Sequence, residues 1–186
     1  MSPRPFLGLV PLGSINPKIL KELCNCLADF LYLPAKILPP KPLPLHAYHP
    51  GRNQYHSTQL LEDLLNQDHG EKPFRILGVT SVDLYIPIFT FVFGEAQLDG
   101  QVAIISTYRL SGGANGGNPP APLLLSRILK LSLHELGHTF NIPHCREKGC
   151  LMGFAANLEK LDQKHLGLCK YCLIFLDDYL NEVTGL

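Results

Sequence analysis

The stretch His134-Glu135-Leu136-Gly137-His138-Thr139-Phe140-Asn141-Ile142-Pro143-His144 carries the chemistry of this chain, and the fold has to be built around it. On a helix, positions i and i+4 lie on one face, so His134 and His138 can share one metal ion. Two neutral imidazoles suit zinc, and Glu135, beside the first of them, can reach a metal-bound water as a general base. A helix continued to residue 144 would carry that histidine about 9 Å beyond His138 at 1.5 Å per residue, so the chain has to turn back. Asn141 is the residue expected to make that turn, because Asn visits the left-handed region more readily than other non-glycine residues, and Pro143 adds a stop. Three histidine ligands leave one coordination position open, which marks a catalytic site and not a structural one.

Upstream of this segment the pattern alternates strands and helices. Residues 6–10 form an apolar run that reads as a first strand. Asn16-Pro17 then opens a helix with Asn16 as cap, and Ile19, Leu20, Leu23, Leu27 and Leu31 recur at helical spacing. Cys24 and Cys26 lie in that helix, two apart, and read as packing residues. The Pro-rich stretch 34–50 reads as an extended connection with one short strand at 35–38. A second helix spans 57–67, with Leu60, Leu61, Leu64 and Leu65 turned inward. Three strands are expected at 75–80 (extending to 86), 88–93 and 102–107, with residues 94–100 as a hairpin turn ending in Asp99-Gly100. Residues 111–120, rich in Gly, Asn and Pro, form a loop expected to border the cleft, and the long helix of the histidine motif spans 123–141. Two further helical stretches are expected at 157–165 and 171–182. The pattern is α/β: a small mixed sheet backed by two helices, with the metal site behind it.

Composition narrows the function classes. The chain has 186 residues, 46% hydrophobic and 17% charged, which suits one folded domain with its own core. Lys plus Arg balances Asp plus Glu at 16 each, so nothing in the charge asks for nucleic acid or an anionic membrane. No apolar run reaches the length of a membrane span, and the first residues lack the apolar core of a secretory signal, so the chain is expected to be cytoplasmic. Six cysteines are compatible with disulfides, but without a signal, thiols or a metal site are the better expectation. The remaining histidines, His46, His49, His56, His69 and His165, read as packing or solvated residues. Glu95 and Asp99 read as surface charges, and Arg109 as a partner for substrate or for an acidic side chain.

The spacing His134-Glu-X-X-His138-X-X-Asn141-X-X-His144 resembles the long zinc motif of the metzincin metallopeptidases, with Asn141 in place of their usual Gly. Met152, in Leu151-Met152-Gly153, resembles the methionine that metzincins hold in a tight turn under the metal. Phe154 stands where some branches carry a further Tyr ligand. Cys145, Cys150 and the pair Cys169-Lys170-Tyr171-Cys172 complete a motif, from His134 to Cys172, similar to that of the archaemetzincins. The resemblance implies a metzincin-like catalytic domain over 1–186, split into an N-terminal part, 1–144, and a C-terminal part, 145–186, with the Met-turn and a second, Cys-only zinc site. The four cysteines support that site independently, since two pairs about twenty residues apart can close a tetrahedral Cys₄ centre. Such a centre would tie the active-site turn to the last helix.

The expected cofactors are thus two zinc ions per chain, one on His134, His138 and His144, the other on Cys145, Cys150, Cys169 and Cys172. The expected activity is hydrolysis of peptides or small proteins by a zinc-activated water with Glu135 as base, in a protein most simply monomeric. By resemblance, an edge strand lines the cleft, and 102–107 is the expected candidate. Two other functions fit parts of the pattern: a zinc-stabilised peptide-binding module with little activity, and a redox or zinc-sensing protein built on Cys169-X-X-Cys172.

Overall fold

Leu7–Leu12 is buried at every residue and forms the central strand β1. A strand buried on both faces reads as a continuous apolar run, which is what a parallel sheet covered on both sides requires. β1 pairs in parallel with β2 (Ala35–Ile37) on one side and β5 (Arg75–Thr80) on the other. β8 (Val102–Ser106) continues the parallel set and β7 (Gly94–Ala96) closes it as an antiparallel edge, in the order β2-β1-β5-β8-β7. The computed structural model describes residues 4–113 and 117–184.

Alternate residues of the sheet feed two apolar layers. Leu9, Leu77, Val79, Ala103 and Ile105 pack against α1 (Pro17–Leu31) and α3 (Ala121–Thr139), with Leu161 of α4 (Leu158–Asp162) and Leu176 of α5 (Lys170–Thr184) joining them. Val10, Leu12, Ile76 and Ile104 pack on the opposite side against Leu60, Leu61 and Leu64 of α2 (Ser57–Asn66). Each fully buried Leu or Ile contributes about 1.5–3 kcal/mol. Helices thus cover both faces of the mixed sheet. The α1 boundaries follow the expected signals: the Asn16 side chain accepts from the Lys18 N–H at 3.0 Å, and Tyr32, with φ of 50°, ends the helix. Cys24 is buried in the core, as its packing role requires. Leu65 departs from expectation; it is 40% exposed, because α2 turns only Leu60, Leu61 and Leu64 toward the sheet.

The middle of the chain differs most from its sequence reading. The strand at 75–80 stops at Thr80 and does not extend to 86. After a bend, Leu84–Tyr85 forms β6 in a second sheet with β3 (Tyr48–His49), inside the Pro-rich stretch read as an extended connection, and β4 (Gln54–His56), just beyond it. Residues 88–93 form no strand beyond an isolated bridge from Val92 to Leu84. Pro87 removes one donor, and the carbonyls of Phe89 and Thr90 are taken by side chains. Arg52 donates to them at 2.9 and 2.8 Å, and Gln54 to Thr90 at 3.0 Å.

The segment read as a hairpin turn is half strand. β7 occupies its first residues, and the turn narrows to 97–100, where Asp99 has φ of 52° and the Gly100 N–H donates to the Gln97 carbonyl at 3.1 Å. β8 therefore lies inside the sheet, and the edge strand is β7. Among the described residues no helix is long and apolar enough to cross a membrane.

Candidate metal centres

α3 runs beside β7 and β8 and brings His134 and His138 to one face one turn apart. Its C-terminus is a Schellman turn: the Asn141 N–H donates to the His138 carbonyl at 3.0 Å and the Ile142 N–H to the Gly137 carbonyl at 3.0 Å. Asn141 has φ of 61°, the left-handed conformation that the return of the chain demands. His144 thereby comes back over the other two histidines. The Nε2 atoms of His138 and His144 each lie 3.3 Å from that of His134, and all three lie within 4.8 Å of one another.

That spacing tests whether the residues fit a metal. Tetrahedral zinc with bonds of about 2.0–2.1 Å places two nitrogen ligands about 3.3 Å apart. The outer nitrogens are arranged for the same purpose. His134 Nδ1 lies 2.9 Å from the Leu151 carbonyl and His138 Nδ1 lies 2.8 Å from the Ile142 carbonyl. A carbonyl only accepts, so each Nδ1 carries the proton and each Nε2 lone pair faces the shared point. Burial lowers the pKa of all three rings, that of His134 to about 3, so they are neutral and free to ligate at neutral pH.

Below the histidines, Cys150-Leu151-Met152-Gly153 makes a tight turn closed by the Gly153 N–H on the Cys150 carbonyl at 3.0 Å. Met152 is fully buried in it. Gly137 is what lets the turn approach: a β-carbon there would stand 2.8 Å from Met152 Cε and closer still to the sulfur. The same turn supplies the Leu151 carbonyl that orients His134.

The four cysteines meet behind this turn. Cys145 Sγ lies 3.7 Å from Cys169 Sγ, and Cys150 Sγ 3.8 Å from Cys172 Sγ, with all four within 4.8 Å of one another. Zinc–sulfur bonds of about 2.3 Å place tetrahedral sulfurs about 3.8 Å apart, whereas a disulfide needs about 2.05 Å. Backbone N–H groups of Glu147 and Cys169 donate to the sulfurs of Cys145 and Cys150, both at 3.4 Å, as suits thiolates. The backbone N–H of Cys172 draws the Cys169 thiol down to about 7.

A cleft of about 470 Å³ opens on the histidines. Its walls are apolar: Phe89, Phe91 and Phe93 from the segment before β7, Leu131 from α3, and Phe154 beyond the Met152 turn. Glu135 lies in this cleft and is buried, and its pKa is pushed up to about 8, first by burial and then by the nearby charge of Glu95. Glu95 is no surface charge. It lines the cleft from β7 and accepts from Ser57 Oγ and, at 2.8 Å, from Thr58 Oγ1 at the start of α2. Gly94 is the close-approach residue here, since a β-carbon on it would stand 2.9 Å from Glu135 Oε1 and 2.7 Å from the Ile104 carbonyl.

The expected border, 111–120, contributes no described residue to the cleft lining, and residues 114–116 lie outside the described part; residues 86–96 hold that position instead. Arg109 resolves to its acidic partner, Asp83, with two hydrogen bonds of 2.7 Å. Arg75 was not singled out in the sequence. Its buried guanidinium donates to the Thr139 carbonyl at 3.2 and 3.3 Å and to Tyr179, fastening the end of α3 to β5 and α5. Lys164, also unforeseen, donates to the Cys150 carbonyl at 3.3 Å and lines the cleft.

Comparison with known families decides what this arrangement belongs to. The description of peptidase family M54 matches residues 26–178. The chain belongs to that family. Archaemetzincins are zinc metallopeptidases, and that is the class of this chain. It is 38% identical over 168 residues to the archaemetzincin of Methanocaldococcus jannaschii, spanning 90% of each chain. The crystal structure of the Methanopyrus kandleri archaemetzincin superposes with a TM-score of 0.85 at 33% identity, covering 97% of this chain and 99% of the other. A zinc-dependent peptidase from Methanocorpusculum labreanum superposes at 0.79 and 30% identity, covering 91% and 99%. The archaemetzincin fold agrees with the α/β, metzincin-like architecture expected from the histidine and cysteine motifs.

Proposed function

We propose that this chain hydrolyses peptide bonds at the three-histidine centre, with Glu135 as general base and a zinc ion on His134, His138 and His144. The observation that carries the proposal is the 3.3 Å spacing of the Nε2 atoms beside a buried carboxylate in an open cleft. Zinc held there supplies Lewis acidity, polarising the scissile carbonyl and acidifying water. Glu135 takes the proton from the attacking water and delivers it to the leaving amine. A dication close by lowers the pKa of that carboxylate from its metal-free value, so it can act as a base at neutral pH. Met152 and Gly137 set the floor on which the histidines rest.

β7 is the strand we assign to substrate binding. It pairs with β8 on one side only, and Gly94, Glu95 and Ala96 line the cleft. An extended peptide added to that edge would be held by main-chain hydrogen bonds and would offer side chains to the phenylalanine wall.

A second zinc on Cys145, Cys150, Cys169 and Cys172 has a structural role in this proposal, because all four ligand positions are filled by the protein. It ties the turn that follows His144 to α5, within the 145–186 part of one catalytic domain. Thiolates at ligand spacing suit a reducing compartment, and the proposal takes the chain as a cytoplasmic monomer acting on peptides or small proteins.

The test is Glu135→Ala. Zinc content stays at the wild-type level and hydrolysis of a peptide library is abolished. Turnover retained by the zinc-loaded variant would remove Glu135 from its role.

A further inference from the structure

Apart from the histidines and the two glutamates, the cleft carries among the described residues one charged group, Lys164. Its Nζ stands beside the Met152 turn, 2.7 Å from the place of a β-carbon on Gly153, and its charge is felt at His144. Behind Phe154 lies a second hollow, of about 450 Å³, which shares Phe154 and Lys164 with the cleft. Lys148, Lys160 and His165 also line it, and among the described residues its lining contains no carboxylate.

Two arginines near the site are neutralised. Arg109 is paired with Asp83 and Arg127 with Asp162. Among the described residues, Lys148, Lys160 and Lys164 form no ion pair. Of the nearby acids, Asp162 is engaged by Arg127 and Glu159 by the Gln163 amide at 3.3 Å, and Glu147, beside Lys148, is not among the lining residues of the hollow. Three ammonium groups around one concavity repel each other and gather anions, and a site of one charge sign with apolar walls concentrates that field. The anions that a peptide brings are carboxylates.

We infer that this hollow is a subsite for a substrate carboxylate, which Lys164, Lys148 and Lys160 bind on the far side of Phe154 from the three-histidine centre. The inference rests on peptide hydrolysis at that centre. It makes the enzyme selective for peptides with an apolar residue against the phenylalanine wall and an acidic group a few residues away. The carboxylate can belong to an Asp or Glu side chain or to the C-terminus, and the chemistry of recognition is the same.

The experiment measures binding of fluorescent peptides to zinc-loaded Glu135→Ala protein, alongside hydrolysis by the wild type. The parent peptide contains Phe and Ala and ends in an amide. One set replaces a single Ala by Glu or by Lys at successive positions, and another restores the free C-terminal acid. A carboxylate is expected to tighten binding about tenfold and Lys to weaken it. The gain is expected to shrink with salt and to vanish in Lys148→Gln/Lys160→Gln and in Lys164→Met, with zinc content unchanged. A gain from internal Glu assigns the side chain as the source, and one from the free acid alone assigns the C-terminus.

Equal affinity for all peptides, or a gain that survives the lysine substitutions, overturns the subsite. If Lys164 serves only to balance the four thiolates, Lys164→Met loses zinc, and the fraction that keeps it shows the wild-type preference, which also overturns the subsite. Preference without hydrolysis by the wild type leaves the subsite standing and sinks the peptidase reading. Hydrolysis without preference does the reverse, and no binding of any peptide overturns both.

Discussion

The Met152 side chain fills the space in which a β-carbon on Gly137 would stand, with Cε 2.8 Å from that point. The glycine inside the histidine motif is therefore a packing residue. It lets the turn below the histidines press against α3 closely enough for the Leu151 carbonyl to orient His134. Gly137→Ala forces one side to move. The expected loss of stability is about 1–3 kcal/mol, the usual range for overpacking a filled site. Met152→Ala in the same chain should recover part of it, and a double-mutant cycle in urea measures the coupling. An unchanged unfolding midpoint in Gly137→Ala would show that the two residues do not press on each other.

Asn141 stands at φ of 61°. Asn141→Gly relieves the left-handed conformation and should fold within about 0.5 kcal/mol of the parent with its metal affinity intact, because glycine is the usual residue at this point of a Schellman turn. Asn141→Ala should lose about 1 kcal/mol. Thermal melts of the two variants compare them directly, and equal stabilities would contradict the turn geometry.

Gly94→Ala places a methyl group against Glu135 and the Ile104 carbonyl, at the edge strand assigned to substrate. Zinc content should not change, and kcat should drop about tenfold or more, since a displacement of about 1 Å at a reacting group is costly. Wild-type kcat in this variant would mean that the carboxylate has room to spare.

The metal-free protein should show a defined pH dependence. His134 is depressed to about 3 when folded, so its contribution is fully present above its unfolded value near 6.5 and is lost as pH falls through that window. Glu135 is raised to about 8, so the folded state keeps a proton that the unfolded chain has released above about 4.3. Between about 4.3 and 6.5 the two effects oppose each other, and from 6.5 that of Glu135 stands alone until the Cys169 thiol, drawn down to about 7, begins to oppose it. Stability of the zinc-stripped protein should therefore fall from pH 6.5 to 7, by at most about 1.4 kcal/mol per unit. Glu135→Gln removes that slope. A flat urea midpoint over this range in the stripped wild type would contradict it.

The sequence made the metal centres legible because their geometry is local or chemically distinctive. The i, i+4 histidines, the left-handed Asn141 and the two cysteine pairs each follow from short-range rules, and the structure brings all seven candidate ligands into two clusters of the right spacing. The cleft wall was not legible. Residues 88–93 have the composition of a strand, but their carbonyls are claimed by Arg52 and Gln54 from a segment nearly forty residues earlier. Once that stretch is withheld from the sheet, β7 moves into the supposed turn and becomes the edge in place of β8. Glu95 was misread for the same reason: a charge in a turn is solvated, whereas a charge on an edge strand facing α2 has Ser57 and Thr58 to bind it. The close-approach role of Gly137 had a visible signal, a glycine still inside the helix between the two histidine ligands, where it is less favourable than alanine.

Metal content per chain is the most direct test that two separate centres exist, one for chemistry and one for structure. It should be measured on the wild type and on Cys169→Ser/Cys172→Ser. The account predicts two zinc ions in the first and one in the second, with the remaining ion removed by further substitution of His138. One zinc in both proteins would contradict it, since the four sulfurs would then hold no metal despite their 3.7 and 3.8 Å contacts.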